Sequence, residues 1–299
     1  MLQTILRFKK KLIAVITAVG FKYNYKRPFA KRIKRRHDSF WKSADAEKVR
    51  NSSPSSTIPL EKWKDVKNWQ RKLSNKYNSR EFAKLNGCKV ANLYWKGRNV
   101  DTIEFDKLPQ HYVIRPTIGH SCNLVFLMAD TVNLLDKKKY SFENLKTILS
   151  KALDENPYLE FLIEEFVKTE RGAYTIPYDY KFFTFNGEIA IIEVINRLGP
   201  NEGSSRCYDE NWNTVGNISK KKYPEAAWQQ PPDCFNEMIE QVKRLSKTYE
   251  IFVRIDFYAT DKGAVFGEFT PTPGSAKYLT SKVEKMFIRY WDSYCNGRI

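Results

Sequence analysis

The sequence predicts an α+β chain, in which strand hairpins are separated by amphipathic helices without the regular strand–helix alternation of a parallel sheet. Three observations carry that expectation. Asn186-Gly187 lies between two β-branched and aromatic runs, Tyr180–Phe185 and Glu188–Val194, which is a strong short-range hairpin signal. A second such pair, Ile251–Tyr258 and Ala264–Phe269, flanks Asp261-Lys262-Gly263, which suits a three-residue loop with Gly263 in the left-handed conformation. The helical part is announced by runs such as Phe235, Met238, Ile239, Val242 and Leu245 at helical spacing. At 299 residues, 42% hydrophobic and 14% aromatic, the chain is globular and can bury one large core or two to three small ones.

The net charge of +17 is unevenly placed, because residues 1–50 hold 15 of the 51 Lys and Arg against three of the 34 acids. Within that segment Leu12–Phe21 is apolar and bracketed by Lys9-Lys10-Lys11 and Lys22. Such a run is too short to span a bilayer, which takes about 20 apolar residues, and it lacks a good signal-peptidase site. It suits an interfacial helix, so residues 1–36 are expected to associate peripherally with an anionic membrane surface. A core-packed helix with a solvated basic end is the alternative. Nucleic-acid binding through the same charge would be salt-dependent and sequence-blind, and no known recognition motif accompanies it. The five cysteines are scattered, with no CxxC and no metal spacing to the three histidines, which argues for a reducing compartment and against a disulfide framework.

Asn51–Thr57 is a polar breaker, and the basic segment is taken to end at residue 59. Region 60–111 opens with a helix carrying Trp63, Val66, Trp69 and Leu73 on one face, then a second with Phe82 and Leu85 that stops at Gly87. Extended pieces are expected around Val90–Tyr94 and Ile103–Phe105. Tyr112–Arg115 reads as a strand ending at Pro116, followed by the polar loop Thr117–Asn123 and a strand over Leu124–Met128. Arg115 at a strand end beside that loop suits either a phosphate cradle or a solvated surface position; no Walker loop is present. Ser141–Leu153 is an amphipathic helix, and Leu159–Val167 is a strand bearing Glu164-Glu165. Cys207–Lys222, with Trp212, reads as a long loop. Asp233 is expected to cap the helix from Phe235, and Ser281 with Glu284 to form a capping box on the last helix.

Chemistry concentrates on the second hairpin. With a three-residue loop, Asp256 faces Glu268, Arg254 faces Thr270 and Tyr258 faces Phe266. Carboxylates directly opposite each other repel, and a hard divalent cation such as Mg²⁺ between them removes the penalty. Neutralisation by Arg254, or one acid turned to solvent, would do the same. A two-residue loop would instead put the acids on opposite faces. Asp179 and Lys181 share one face of their strand, where Lys181 is either a snorkelling lysine or a ligand-facing cation.

Several stretches, FDKLPQHYVIRP, LIEEFV, YDYKFFTFNGEI, YDENWN and VRIDFY…GEFTPTPGS, occur in this order over about residues 80–280. Together they resemble the TupA-like branch of the ATP-grasp superfamily, which is associated with teichuronopeptide and cell-surface polysaccharide synthesis. The resemblance implies two α+β lobes (112–170 and 171–299) clasping ATP and Mg²⁺, with 60–111 preceding them. It implies a carboxylate–amine ligase that activates a carboxylate as an acyl phosphate. Arg115 stands where the family places a phosphate-binding lysine, and Thr117–Asn123, with Ser121 and Asn123, would be the mobile phosphate loop. Glu164, Glu165, Phe166 and Val167 would form the hinge against adenine and ribose, and Asp179 and Lys181 would face the nucleotide. Arg254 would act on the transferring phosphoryl group, and Asp256, Glu268 and Thr270 would hold Mg²⁺. The implied partners are an acidic glycan or sugar precursor and an amino acid or amine, in the cytoplasm at the inner membrane face. Apart from the resemblance, Trp212 could offer the substrate a stacking face, and Arg197 and Arg206 anion-binding donors, with solvated loop residues as the alternative. Three departures stand out: Arg115 for lysine, Thr270 where asparagine is common, and a loop with Gly119 as its only glycine. They leave a glycan kinase, or a degenerate nucleotide-binding site, as alternative readings.

Overall fold

A computed structural model of the chain describes residues 27–200, 202–218, 223–276 and 279–299. The apolar run Leu12–Phe21 and most of the segment 1–36 lie outside the described residues. The helices are α1 (Pro28–Trp41), α2 (Ala46–Arg50), α3 (Leu60–Trp63), α4 (Lys76–Leu85), α5 (Phe142–Glu155), α6 (Phe235–Tyr249) and α7 (Ser281–Tyr294). The strands are β1 (Lys89–Val90), β2 (Leu93–Gly97), β3 (His111–Pro116), β4 (Phe126–Ala129), β5 (Val132–Asn133), β6 (Lys138–Lys139), β7 (Phe161–Glu165), β8 (Asp179–Phe185), β9 (Glu188–Arg197), β10 (Gly203–Tyr208), β11 (Thr214–Val215), β12 (Phe252–Thr260) and β13 (Gly263–Thr270).

These strands form two sheets. The larger runs β1-β13-β12-β8-β9-β10-β11 and the smaller β2-β7-β3-β4-β5-β6. Region 60–111 is shared between them, since β1 pairs with β13 and β2 with β7.

Strand alternation decides what each face of the larger sheet does. On one face Val253, Ile255, Phe257 and Ala259 of β12 pack against Trp63, Trp69, Phe82 and the apolar stripe of α6. On the other, the far ends of β8 and β9 (Phe183, Phe185, Ala190, Ile191) are covered by Phe29 and Ile33 of α1 and Phe287 and Trp291 of α7. The near end of that second face carries Asp179, Lys181, Arg254 and Asp256 instead. The third core joins the smaller sheet to α5, through Ile114, Met128, Ile163, Leu145 and Leu149.

The Asn186-Gly187 hairpin forms as expected, with both residues at positive φ (50° and 102°). Elsewhere local signals were overridden. The helix expected from Trp63 to Leu73 is split into α3 and a 3₁₀ turn, Trp69–Ser74, where Asn68 turns left-handed (φ 56°). Trp63, Trp69 and Leu73 are still buried together, so the apolar pattern reported burial rather than one continuous helix. Ile103–Phe105 is not extended: Asn99 caps a 3₁₀ turn at Val100–Thr102 by accepting from the Asp101 N–H, and a second turn follows at Phe105–Lys107. Cys207–Val215 is a strand pair rather than a loop, because the Asp209 carboxylate gathers the Asn211 and Asn213 N–H groups at 2.9 and 2.8 Å into a turn. The first residue before α6 is Cys234, not Asp233, and makes no side-chain cap. For α7 the cap is Thr280, accepting from the Val283 N–H; Ser281 is already helical, and Glu284 turns inward towards Arg27.

Candidate active site

The hairpin β12–β13 reaches the expected pairing by an unexpected route. Its connection has two residues, Thr260 pairing with Gly263, and Tyr258 faces Val265 rather than Phe266. A regular ladder from that turn would set Glu268 on the core face. The register shifts between Asp256 and Phe257, leaving Gly267 as the extra residue of a β-bulge, and beyond it Asp256 faces Glu268 and Arg254 faces Thr270. A bulge reverses strand parity, so Phe266 and Phe269 both reach the core while Glu268 and Thr270 face outward. Glycine suits the position, since an added Cβ would meet the Asp256 carbonyl oxygen at 3.0 Å and the Tyr258 ring at 3.1 Å.

The facing acids are bridged by cations. Arg254 donates from Nε to Asp256 Oδ1 (2.6 Å) and from Nη2 to Asp256 Oδ2 (2.7 Å) and Glu268 Oε1 (3.0 Å). Lys181, directly opposite Asp256 on β8, donates to Asp256 Oδ2 at 2.5 Å and lies 3.4 Å from Asp179 Oδ2. Arg197 on β9 closes the row, donating to Asp179 Oδ2 at 2.8 Å. Thr270 donates to Glu268 Oε1 at 3.4 Å, at the outer edge of the cluster.

Arg115 joins the two sheets. From β3 of the smaller sheet its Nε donates to Glu164 Oε2 at 2.5 Å, and its Nη1 donates to the carbonyl of Gly267 on the bulge at 3.3 Å. Glu164 is buried and also lies 3.2 Å from Arg80, so it backs Arg115 instead of opening towards a ribose. Glu165 points to the opposite face, where it pairs with Lys262 at the tip of the β12–β13 hairpin and accepts from the Asn92 N–H. Phe166 and Val167 follow β7 and are buried. Phe166 sits edge-on to His111 and Tyr174, which stack on each other at 3.8 Å.

Lys76 belongs to the same cluster and escaped the sequence reading. At the first position of α4, its backbone N–H donates to the Thr117 carbonyl (2.7 Å), its Nζ donates to the Gly119 carbonyl (3.3 Å), and it lies 3.9 Å from Glu268 Oε2. A cation in the first turn of a helix opposes the helix dipole, and that local misfit was the available signal. Arg80 lies one turn further along the same helix.

These contacts set the protonation states. Burial alone would raise Asp179, but Lys181 and Arg197 outweigh it and hold its carboxyl at about 2. Burial likewise opposes the charge on Glu268, yet Lys76, Arg254 and Lys181 keep it below the usual carboxylate range. Arg254 and Lys181 lose hydration, and the carboxylates beside them more than restore their protons. Lys76 is shifted down because burial outweighs Glu268. Burial, with Asp179 next, pushes the Tyr258 phenol well up.

Two expected substrate contacts are not where the sequence reading put them. Trp212 is buried, stacked on Tyr208 at 4.1 Å and edge-on to Phe235, with its indole N–H given to the Gln229 carbonyl; no ring face is left for a sugar. Arg206 pairs in register with Val194, next to Glu193 opposite Lys181, so alternation turns it to the face away from the cluster. There it donates to the Ala226 carbonyl and meets Glu225. Arg197 does reach the cluster. Ser121 and Asn123 are exposed in the loop, where Ser121, Cys122 and Leu124 all have φ near 57°.

The donor set can be tested against a nucleotide carrying Mg²⁺. Among the described residues no group of three or more Asp, Glu, His or Cys could hold a cation unaided. Mg²⁺, however, commonly takes one or two protein carboxylates and completes its octahedron with phosphate oxygens and water. Asp256 and Glu268 match that demand, and the cations they now hold are the groups that phosphate oxygens would take up. The residues fit the metal–nucleotide pair rather than a free ion.

No curated protein sequence matches the chain. Among solved structures it is similar to a D-alanine–D-alanine ligase from Bacillus anthracis complexed with ATP, at 14% identity, covering 75% of this chain and 66% of that one, with a TM-score of 0.48. It is also similar to the D-cycloserine synthetase DcsG (11%, 79% and 77%, TM-score 0.49). For an L-amino acid ligase from Bacillus licheniformis the values are 14%, 68% and 41%, with a TM-score of 0.40. The chain thus spans about two thirds of the length of the first of these and less than half of the last. The family model described as TupA-like ATPgrasp matches residues 57–287, which takes in both sheets and every member of the charged cluster. The chain belongs to the TupA-like ATP-grasp family.

Proposed function

We propose that the protein is an ATP- and Mg²⁺-dependent ligase that phosphorylates a carboxylate on an acidic cell-surface glycan, or its precursor, and joins the resulting acyl phosphate to an amino acid or amine. One observation supports this reading above the rest. Arg115 of the smaller sheet reaches the bulge of the hairpin that carries Arg254, Asp256 and Glu268, so cations from both lobes converge on a pair of facing carboxylates. Phosphoryl transfer asks for alignment and charge neutralisation more than for covalent chemistry, and this set supplies both.

Asp256 and Glu268 would hold Mg²⁺, whose contribution when bound is to neutralise phosphate charge. Arg254 and Lys181, released from Asp256, would turn to the phosphate oxygens. Arg115 and Lys76 would bind the same oxygens from the other side. Thr117–Asn123, tied to Lys76 through Thr117 and Gly119, would cover them and exclude water. Arg197, at the rim, would receive the acceptor carboxylate. ATP supply and the five unpaired thiols suit the cytoplasm.

Product analysis across acidic sugars and amino acids tests the reading. A ligase yields ADP, free phosphate and an amide, whereas a kinase yields ADP and a phosphorylated acceptor without free phosphate. If Asp256→Asn and Glu268→Gln both left turnover unchanged, the site assignment would be wrong.

A further inference from the structure

Helices α1 and α7 lie side by side. Phe29 packs on Phe287 and Trp291, and Arg32 pairs with Asp292 at 2.7 Å. Between them runs a groove lined by Arg27, Pro28, Lys285, Ile288 and Arg289; the buried Glu284 is turned towards Arg27 at 3.5 Å. Along the same helices Lys31 and Arg35 on α1, and Lys282, Lys285 and Arg289 on α7, are exposed, and among the described residues none of the five has a carboxylate partner. Lys34 and Lys42, by contrast, share Asp38.

From this arrangement we infer that the paired helices α1 and α7 form a docking face for an anionic phospholipid surface. Unpaired like charges on adjacent helices repel one another, and the countercharge that relieves them has to come from outside the fold. The cations are spread along two helices, each of 14 residues and so about 21 Å long, which suits a plane of phosphates better than a single bound ion. A lining that sets Pro28 and Ile288 beside Arg27, Lys285 and Arg289 fits the headgroup boundary, where phosphate lies beside hydrocarbon. The chain enters this face at Arg27 shortly after the lysine-flanked apolar run Leu12–Phe21. The face therefore enlarges the membrane contact expected of the N-terminal segment by a second element remote in sequence, and it does not depend on the reaction catalysed.

Co-sedimentation of the full chain with phosphatidylcholine vesicles, with and without phosphatidylglycerol, provides the test. Binding is expected to require phosphatidylglycerol and to weaken with salt. A basic residue near an anionic surface contributes about five-fold to affinity, so Lys282→Gln, Lys285→Gln and Arg289→Gln together should weaken binding on the order of a hundred-fold. The thermal midpoint should not move, because all three side chains are exposed. Removing the same charge from the exposed Lys137, Lys138 and Lys139, at the β6 edge of the smaller sheet, should leave binding unchanged, and Lys282→Arg with Lys285→Arg should retain it. The inference is overturned if the α7 variant binds like wild type, which would leave residues 1–26 as the whole contact. It is also overturned if the 137–139 variant loses as much as the α7 variant, or if duplex DNA competes as well as vesicles do.

Discussion

Replacing Arg254 by methionine removes the group that reconciles Asp256 with Glu268. One nitrogen, Nη2, lies 2.7 Å from Asp256 Oδ2 and 3.0 Å from Glu268 Oε1, so the two carboxylates are close neighbours across the hairpin. At a separation of about 5 Å and an effective dielectric constant of about 20, their uncompensated repulsion is about 3 kcal/mol. Lys181 stays on Asp256 and Lys76 near Glu268 and offset part of that repulsion, while the three bonds of Arg254 are lost with it, so a loss of about 3 kcal/mol is expected. Urea unfolding of Arg254→Met without nucleotide measures it, against wild type at the same pH. A loss below about 0.5 kcal/mol would refute the repulsion argument.

Two further outcomes follow from the protonation of the site and its surroundings. Asp179 is held at about 2 against an ordinary 3.8, so its ion pairs stabilise the fold fully above pH 3.8 and cease to do so as pH falls to 2. Asp179→Asn should therefore flatten the pH dependence of urea stability across that window, by an amount on the order of 2 kcal/mol, and an unchanged slope would count against the pairing with Lys181 and Arg197. Burial pushes the thiols of Cys88 and Cys295 up to about 11 and those of Cys207 and Cys234 to about 12. Iodoacetamide at pH 8 should accordingly label the half-exposed Cys122 of the 117–123 loop first, and ATP with Mg²⁺ should slow that reaction. Labelling of Cys207 or Cys295 at a comparable rate, read by peptide mass, would contradict the packing.

Much of this molecule was legible in one dimension because strand alternation and turn chemistry are local. Asn186-Gly187 has to turn, and Asp179 with Lys181 has to share a face, whatever the rest of the chain does. The facing of Asp256 and Glu268 was also readable, but for an incomplete reason. The turn is one residue shorter than its Asp-Lys-Gly sequence suggests, and the bulge at Gly267 restores the register. A bulge depends on what lies across the strand, here the Asp256 carbonyl and the Arg115 guanidinium of the other sheet, and neither is adjacent in sequence. Trp212 and Arg206 were misplaced for a related cause. A polar stretch looked like a loop, and only the pairing of β9, β10 and β11 shows which side chains enter the core and which turn from the site. Lys76 and Arg80 come from a helix between the basic segment and the first sheet, and nothing in their local pattern names Glu268 or Glu164 as partners. The sequence by itself determined the α+β class and the family, since each follows from short-range pattern, and it put the pair Asp256 and Glu268 on one hairpin, while the bulge decided that they face each other. Which cations neutralise that pair, and from how many elements they come, was decided by tertiary structure, because burying a charge is favourable only where a distant part of the chain brings its opposite.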